Sequence, residues 1–278
     1  MPRAKARKQG KGKVPQRSVP WWGALIALVI AAVVAIALLV FLSSDSRELK
    51  AAIVDQLYPT YPNPDFTTEV TQELESYGFE VDIYQGNITV DFYRNLPTHN
   101  YRLIIFRTHS GLIGPSPEEV KGTYLFTNEP YELGKHKEEQ LNDELAMAQV
   151  TEGSPVVFAI GPKFIANRMI GDFDNTVIII AGCSCLHETD PSLAEAFVAE
   201  GASVYLAWDG SVGLDYVDNA TMNLMQHLCA TESDEMTVDQ AVKQTYLEVG
   251  PDPEYHAVLK YYPAQNGGKT LSDLTKWN

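Results

Sequence analysis

The stretch that most constrains this chain is Val177–Leu186, V-I-I-I-A-G-C-S-C-L. Four consecutive β-branched residues have no polar face. They read as a strand covered on both sides, which is the pattern of a parallel α/β sheet. The run ends in two small residues and then a cysteine, so the strand delivers the Cys183 thiol at its carboxyl end. Arg102–Gly111, R-L-I-I-F-R-T-H-S-G, has the same form and ends in His109. Open α/β sheets place their sites beyond the carboxyl ends of the strands, near the point where strand order reverses. If these two strands are neighbours, the thiol and the imidazole meet there.

The rest of the pattern agrees with such a sheet. Ala51–Asp55 reads as a short buried strand with Asp55 at its carboxyl end, and the three prolines of Leu57–Pro64 demand an irregular loop. A helix follows to Tyr77, with Asp65 as its cap, Val70, Leu74 and Tyr77 as its apolar face and Gly78 as its stop. Phe79–Tyr84 is a second strand and Thr89–Leu96 a short helix. Residues 112–170 are less regular. Gly122–Phe126 and Val156–Ile160 look like strands and Glu138–Met147 like a helix, within an insertion over the carboxyl edge of the sheet. After Cys185 come a helix at Ser192–Glu200, a strand at Ser203–Trp208, two amphipathic helices at Asp218–Cys229 and Val238–Val249, and a last strand at His256–Tyr262. The prediction is an α/β fold: a doubly wound, mostly parallel sheet with helices on both faces, preceded by one transmembrane helix.

That transmembrane helix is read from Trp21–Leu42, 22 residues without a charge among 278. A helix of this length spans the roughly 30 Å hydrocarbon layer at ~1.5 Å per residue. It ends in L-L-V-F-L-S-S, a poor cleavage site, so it reads as an anchor and not a signal peptide. Residues 1–20 carry seven Lys and Arg and no acid, which places the amino terminus in the cytoplasm and the domain outside. The expected organisation is a basic disordered tail at 1–20, an anchor at 21–43, a linker at 44–50 and one domain at 51–278. Beyond the anchor, 14 Lys and Arg face 36 Asp and Glu, which leaves a net −22. A surface that acidic repels phosphate backbones, so nucleic-acid binding is not expected.

The chemistry read from the residues is acyl transfer. A thiol at a strand end before a helix gains nucleophilicity from the helix amino terminus and from a nearby imidazole. Cys183 is the candidate nucleophile and His109 the candidate proton shuttle. Gly111 and Gly182 give backbone room, with amides near Gly111 and Cys183 to bind an oxyanion. Cys185 shares the strand face of Cys183 and is the alternative nucleophile. The C-x-C-x-H run at Cys183, Cys185 and His187 lacks the second ligand pair of a usual zinc site, so no metal and no cofactor is expected. Neither a G-x-G-x-x-G nor a phosphate loop is present.

Three stretches together resemble the caspase-like cysteine peptidases, the clan of caspases, legumains, gingipains and separases. They are an apolar strand ending in Thr108-His109-Ser110-Gly111, an apolar strand ending in Ala181-Gly182-Cys183, and Leu193–Ala202 followed by Val204–Trp208. The last is similar to the CHAT pattern of a helix L-A-x-A-F-L-x-x-G-A and an apolar strand ending near a Trp, so within the clan the CHAT family looks closest. The resemblance implies a caspase-like sheet, a Cys183–His109 dyad, an acyl-enzyme and a protein or peptide substrate. It also implies an acidic specificity pocket in members that cut after Arg or Lys, for which Asp55 and Asp209 are the candidates, strand-end capping being their other reading. Two residues depart from the family pattern. Ser110 stands between His109 and Gly111, where the family has His then Gly, and Gly182 precedes the thiol, where the family has Ala. An inactive caspase-like domain that binds a peptide or partner is the alternative.

Overall fold

The computed structural model describes Trp22, Ile26, Ile30 and Val33 and residues 49–114, 122–230 and 234–276. The chain divides into two units, Met1–Arg47 and Glu48–Asn278. In the first, the four described residues are helical and exposed; the remainder of the expected anchor lies outside the described residues. Among the described residues no helix is long and apolar enough to cross a membrane.

The second unit is built on a six-stranded sheet. Its strands are β1 (Lys50–Asp55), β2 (Glu80–Gln85), β3 (Leu103–Arg107), β8 (Thr176–Ala181), β9 (Ala202–Trp208) and β10 (Leu259–Tyr262), numbered with the intervening strands of a second sheet. Their order is β10-β9-β8-β3-β1-β2. All neighbours run parallel except β10, which lies antiparallel on β9. Each central strand divides its residues between two cores. Ala52, Val54, Ile104, Phe106, Ile178 and Ile180 face one side; Ala51, Ile53, Leu103, Ile105, Val177 and Ile179 face the other. The first core is closed by α2 (Val90–Asn95), α4 (Pro162–Arg168) and α5 (Ser192–Ala199). The second is closed by α1 (Pro64–Tyr77), α6 (Leu214–Leu228), α7 (Val238–Val249) and the short α8 (Leu271–Leu274). Helices on both faces explain why these strands carry unbroken apolar runs.

Local signals set the element ends. Gly78 stops α1 in the left-handed region at φ 111°, where a side chain is strained. The amino-terminal cap of α1 is Asn63, not Asp65 as expected: Asn63 Oδ1 accepts from Phe66 N at 3.1 Å, with Pro64 in the first helical position.

The strands expected at Gly122–Phe126 and Val156–Ile160 are present, with two further strands beside them. They form a second, antiparallel sheet of order β4-β5-β7-β6, from β4 (Ser110–Ile113), β5 (Gly122–Pro130), β6 (Leu145–Ala148) and β7 (Val157–Ile160). The helix expected over Glu138–Met147 is a single short turn, α3 (Lys137–Leu141), followed by strand β6. Ala, Leu and Met favour a helix intrinsically, but Leu145 and Ala148 are buried in a strand paired with β7, so packing overrides propensity.

The two sheets meet near a buried ion network. Arg107, the last residue of β3, binds Asp218 of α6 through Nε and Nη2 at 2.7 and 2.8 Å. Its Nη1 reaches Asp55 of β1 at 3.0 Å and Tyr61 O at 2.9 Å. Asn63 Nδ2 donates to Asp218 at 2.8 Å, which ties the α1 cap to the same cluster. Removing one member strands a buried charge. Arg107→Met should therefore cost about 3–5 kcal/mol by urea denaturation, whereas Lys276→Ala, which removes an exposed pair with Asp273, should leave the midpoint unchanged.

Candidate functional site

Neighbouring strands β3 and β8 end level with one another, Arg107 opposite Ala181. The chain then turns away on each side, to His109 and to Cys183. Thr108 N donates to Ala181 O at 3.2 Å, and Ser110 Oγ donates to Cys183 O at 2.8 Å. The two segments singled out in the sequence are thus joined backbone to backbone one residue before His109 and side chain to backbone one residue beyond it.

The thiol loop is held by hydroxyls. Cys183 O accepts from Ser110, Ser184 O from Thr123 Oγ1 at 2.9 Å, and Cys185 O from the Tyr205 hydroxyl at 2.9 Å. Ser184 N donates to Gly210 O and Leu186 N to Trp208 O. These bonds hold Ser184 at φ 54°, a left-handed conformation uncommon for a serine. Ser110 and Thr123 belong to β4 and β5, so the second sheet holds the loop that carries the thiol. No sequence signal marked Ser110, Thr123 or Tyr205 for this, because a hydroxyl that caps a distant carbonyl leaves no periodic trace.

His109 is fixed by its backbone. Its N–H donates to Gln56 Oε1 at 3.0 Å, and its carbonyl accepts from Phe126 N at 2.9 Å. The ring lies between Tyr61, edge-on at 6.1 Å, and Phe126, also at 6.1 Å. The Cys183 thiol is half-buried against Ala181, Trp208, Val212, Val217 and Ala257, with Val212 O as its hydrogen-bond acceptor at 3.9 Å. Among the described residues no hydrogen bond joins ring and thiol.

Both groups are pushed toward their uncharged forms. Burial lowers the His109 pKa, and the neighbouring Arg107 charge lowers it further. Burial raises the pKa of the Cys183 thiol, and the Asp252 carboxylate adds to the rise. The free site therefore holds a neutral imidazole, which accepts a proton, and an intact thiol, which supplies one. Cys185 is fully buried and its thiol is pushed up to about 12, which leaves it a poor alternative nucleophile.

The other expected positions fall as follows. Gly111 lies in β4 opposite Tyr124, and a Cβ there would meet nothing within 4 Å. At Gly182 a Cβ would lie 2.6 Å from Ser110 Oγ and 2.7 Å from Thr108 O. Both departures from the family pattern thus sit in one contact: the serine at 110 occupies space that an alanine at 182 would need. The acidic-pocket expectation is corrected for Asp55, which is fully buried and paired with Arg107, and so is closed to a substrate cation. Asp209 is engaged as well, by Lys260 at 2.9 Å and Val258 N at 2.8 Å. Among the described residues no group of three or more His, Cys, Asp or Glu is placed to hold a metal ion.

No protein-family model and no curated protein matches the sequence. In three dimensions the chain is similar to the Arg-specific cysteine proteinase gingipain R, with a TM-score of 0.43 at 11% identity over 74% of this chain and 43% of that one. It is also similar to the Drosophila initiator caspase Dronc, with a TM-score of 0.35 at 13% identity over 77% of each chain. This chain thus spans less than half the length of the gingipain chain it matches.

The crowding at 182 gives a direct test. Gly182→Ala should cost about 1–3 kcal/mol of stability in urea denaturation, as overpacking does. Adding Ser110→Gly should recover part of that loss and not all, because the Thr108 carbonyl stays in place. Gly111→Ala, with open space around its Cβ, should fold as the wild type does.

Proposed function

We propose that this chain is a membrane-anchored, extracytoplasmic cysteine endopeptidase of the caspase-like kind, related within it to the CHAT family. The observation that carries the reading is the junction of β3 and β8, which sets His109 and Cys183 at adjacent strand ends beside a hydroxyl-held loop. In the reaction, Cys183 Sγ attacks the peptide carbonyl carbon and its proton passes to the neutral His109 ring. The oxyanion is received by backbone amides near Gly111 and Cys183. His109 then protonates the leaving amine, which leaves a thioester. Water, activated by the same ring, releases the acid and regenerates the thiol.

Cys183→Ala should abolish labelling by an acyloxymethyl-ketone probe together with peptide turnover. His109→Ala should lower turnover by ~10²–10⁴-fold, the usual scale of general acid–base catalysis. Equal labelling of wild type and Cys183→Ala would overturn the assignment. The pH dependence follows from the two shifts. With His109 lowered, the neutral ring persists below pH 6.5, so the acid limb of kcat/KM should fall only below that value. With the thiol raised, iodoacetamide alkylation of Cys183 should still be climbing above pH 9.

The membrane part of the proposal rests on the uncharged run at Trp21–Leu42 and the basic tail before it. The full chain should stay with membranes through alkaline carbonate extraction, and a chain lacking residues 1–43 should be released. A second reading, a catalytically inactive peptide-binding module, is favoured by one observation: the thiol is hydrogen-bonded to Val212 O and not to His109. Peptide binding without turnover at any pH would select it.

A further inference from the structure

The sheet order places its reversal between β1 and β3, since the chain builds outward to β2 on one side and to β8 and β9 on the other. A cleft of about 400 Å³ opens there, lined by the loop after β1 (Gln56, Pro59, Thr60, Tyr61), by His109 after β3, and by Phe126, Asn128, Val150 and Pro155 from the second sheet and its loops. The volume lies in the range of ligand pockets, roughly 300–1,000 Å³. Its position is the one at which open α/β sheets bind ligands. Cys183 does not line it.

The chemistry of its walls is specific. No Asp, Glu, Lys or Arg is among the lining residues. Most of its polar side chains are already engaged within the chain. Gln56 accepts from His109 N and donates to Thr127 O. Asn128 donates to Gln56 O and accepts from Ile88 N. Thr127 donates to Phe158 O, Thr60 to Leu57 O and Ser154 to Thr151 O. An entering group meets apolar walls from Pro59, Phe126, Val150 and Pro155, with the Tyr61 and His109 rings beside them. A charged side chain would lose its water there and gain no counter-ion.

We infer that this cleft is a subsite for a neutral apolar or aromatic side chain of the substrate. The inference rests on the peptidase reading only for calling the ligand a substrate; the subsite itself is tested without turnover. The detergent-solubilised full chain carrying Cys183→Ala is titrated with the N-acetyl methylamides of phenylalanine, lysine and glutamate, and binding is followed by saturation-transfer NMR. The phenylalanine amide should bind about tenfold or more tightly than either charged one, the cost of stripping water from an unpaired charge. Val150→Glu sits on an exposed wall of the cleft, where it can fold normally. It should weaken the phenylalanine amide and bring in the lysine amide. Equal binding of all three amides, no binding of the phenylalanine amide, or binding indifferent to Val150→Glu would overturn the subsite. Peptide turnover by the wild type is measured alongside. Phenylalanine binding without turnover keeps the subsite and removes the peptidase; turnover that prefers charged residues at every position does the reverse.

Discussion

The buried cation at the end of β3 is the constraint on which the domain depends. Arg107 cannot shed its charge, so two carboxylates and a carbonyl must come to it. Those partners arrive from β1, from α6 and from the loop that precedes α1. One residue therefore fixes how two strands, a helix and a loop meet at the sheet's carboxyl edge. It also sets the electrostatics of the site, since its charge lies two residues from His109 and disfavours a second positive charge there. Packing alone would leave the register of this edge less sharply defined, because apolar contacts tolerate small slides and a bidentate ion pair does not.

From that edge the chain leaves toward two different supports. The histidine side is held by amides: Gln56 fixes the His109 backbone, and Asn128 fixes Gln56. The cysteine side is held by hydroxyls from β4, β5 and β9. The second sheet contributes to both, through Asn128 on one side and Ser110 and Thr123 on the other. It acts as a brace across the site, where its sequence suggested two strands within a covering insertion.

Much of the six-stranded sheet was legible because doubly covered strands leave continuous β-branched runs, as at Leu103–Arg107 and Thr176–Ala181. Most of the helices were legible through their apolar spacing and their stops, Gly78 among them, but α4 was not, and the helix read at Glu138–Met147 gives way to strand β6. Of the second sheet, β5 and β7 were read at Gly122–Phe126 and Val156–Ile160, but β4 and β6 were not. Ser110–Ile113 is four residues with no alternation, and Leu145–Ala148 has the composition of a helix. Strands of this kind are specified by their partners and not by their own residues. For the site, strand ends could be read but side-chain company could not. Asp55 looked available until its partner Arg107, 52 residues away, was seen beside it. The same holds for Gly182, whose lack of a side chain is explained by Thr108 and Ser110 across the strand junction.

The three thiols divide unevenly between surface and interior. Cys183 is half-buried, while Cys185 and Cys229 are sealed, and none is in a disulfide. A chain built this way carries its own gauge of foldedness. A native molecule offers a small thiol reagent one sulfur, and an unfolded molecule offers three. The count of modified cysteines per chain, read by mass, is then a direct measure of the unfolded fraction, and it needs neither a substrate nor an assay of activity.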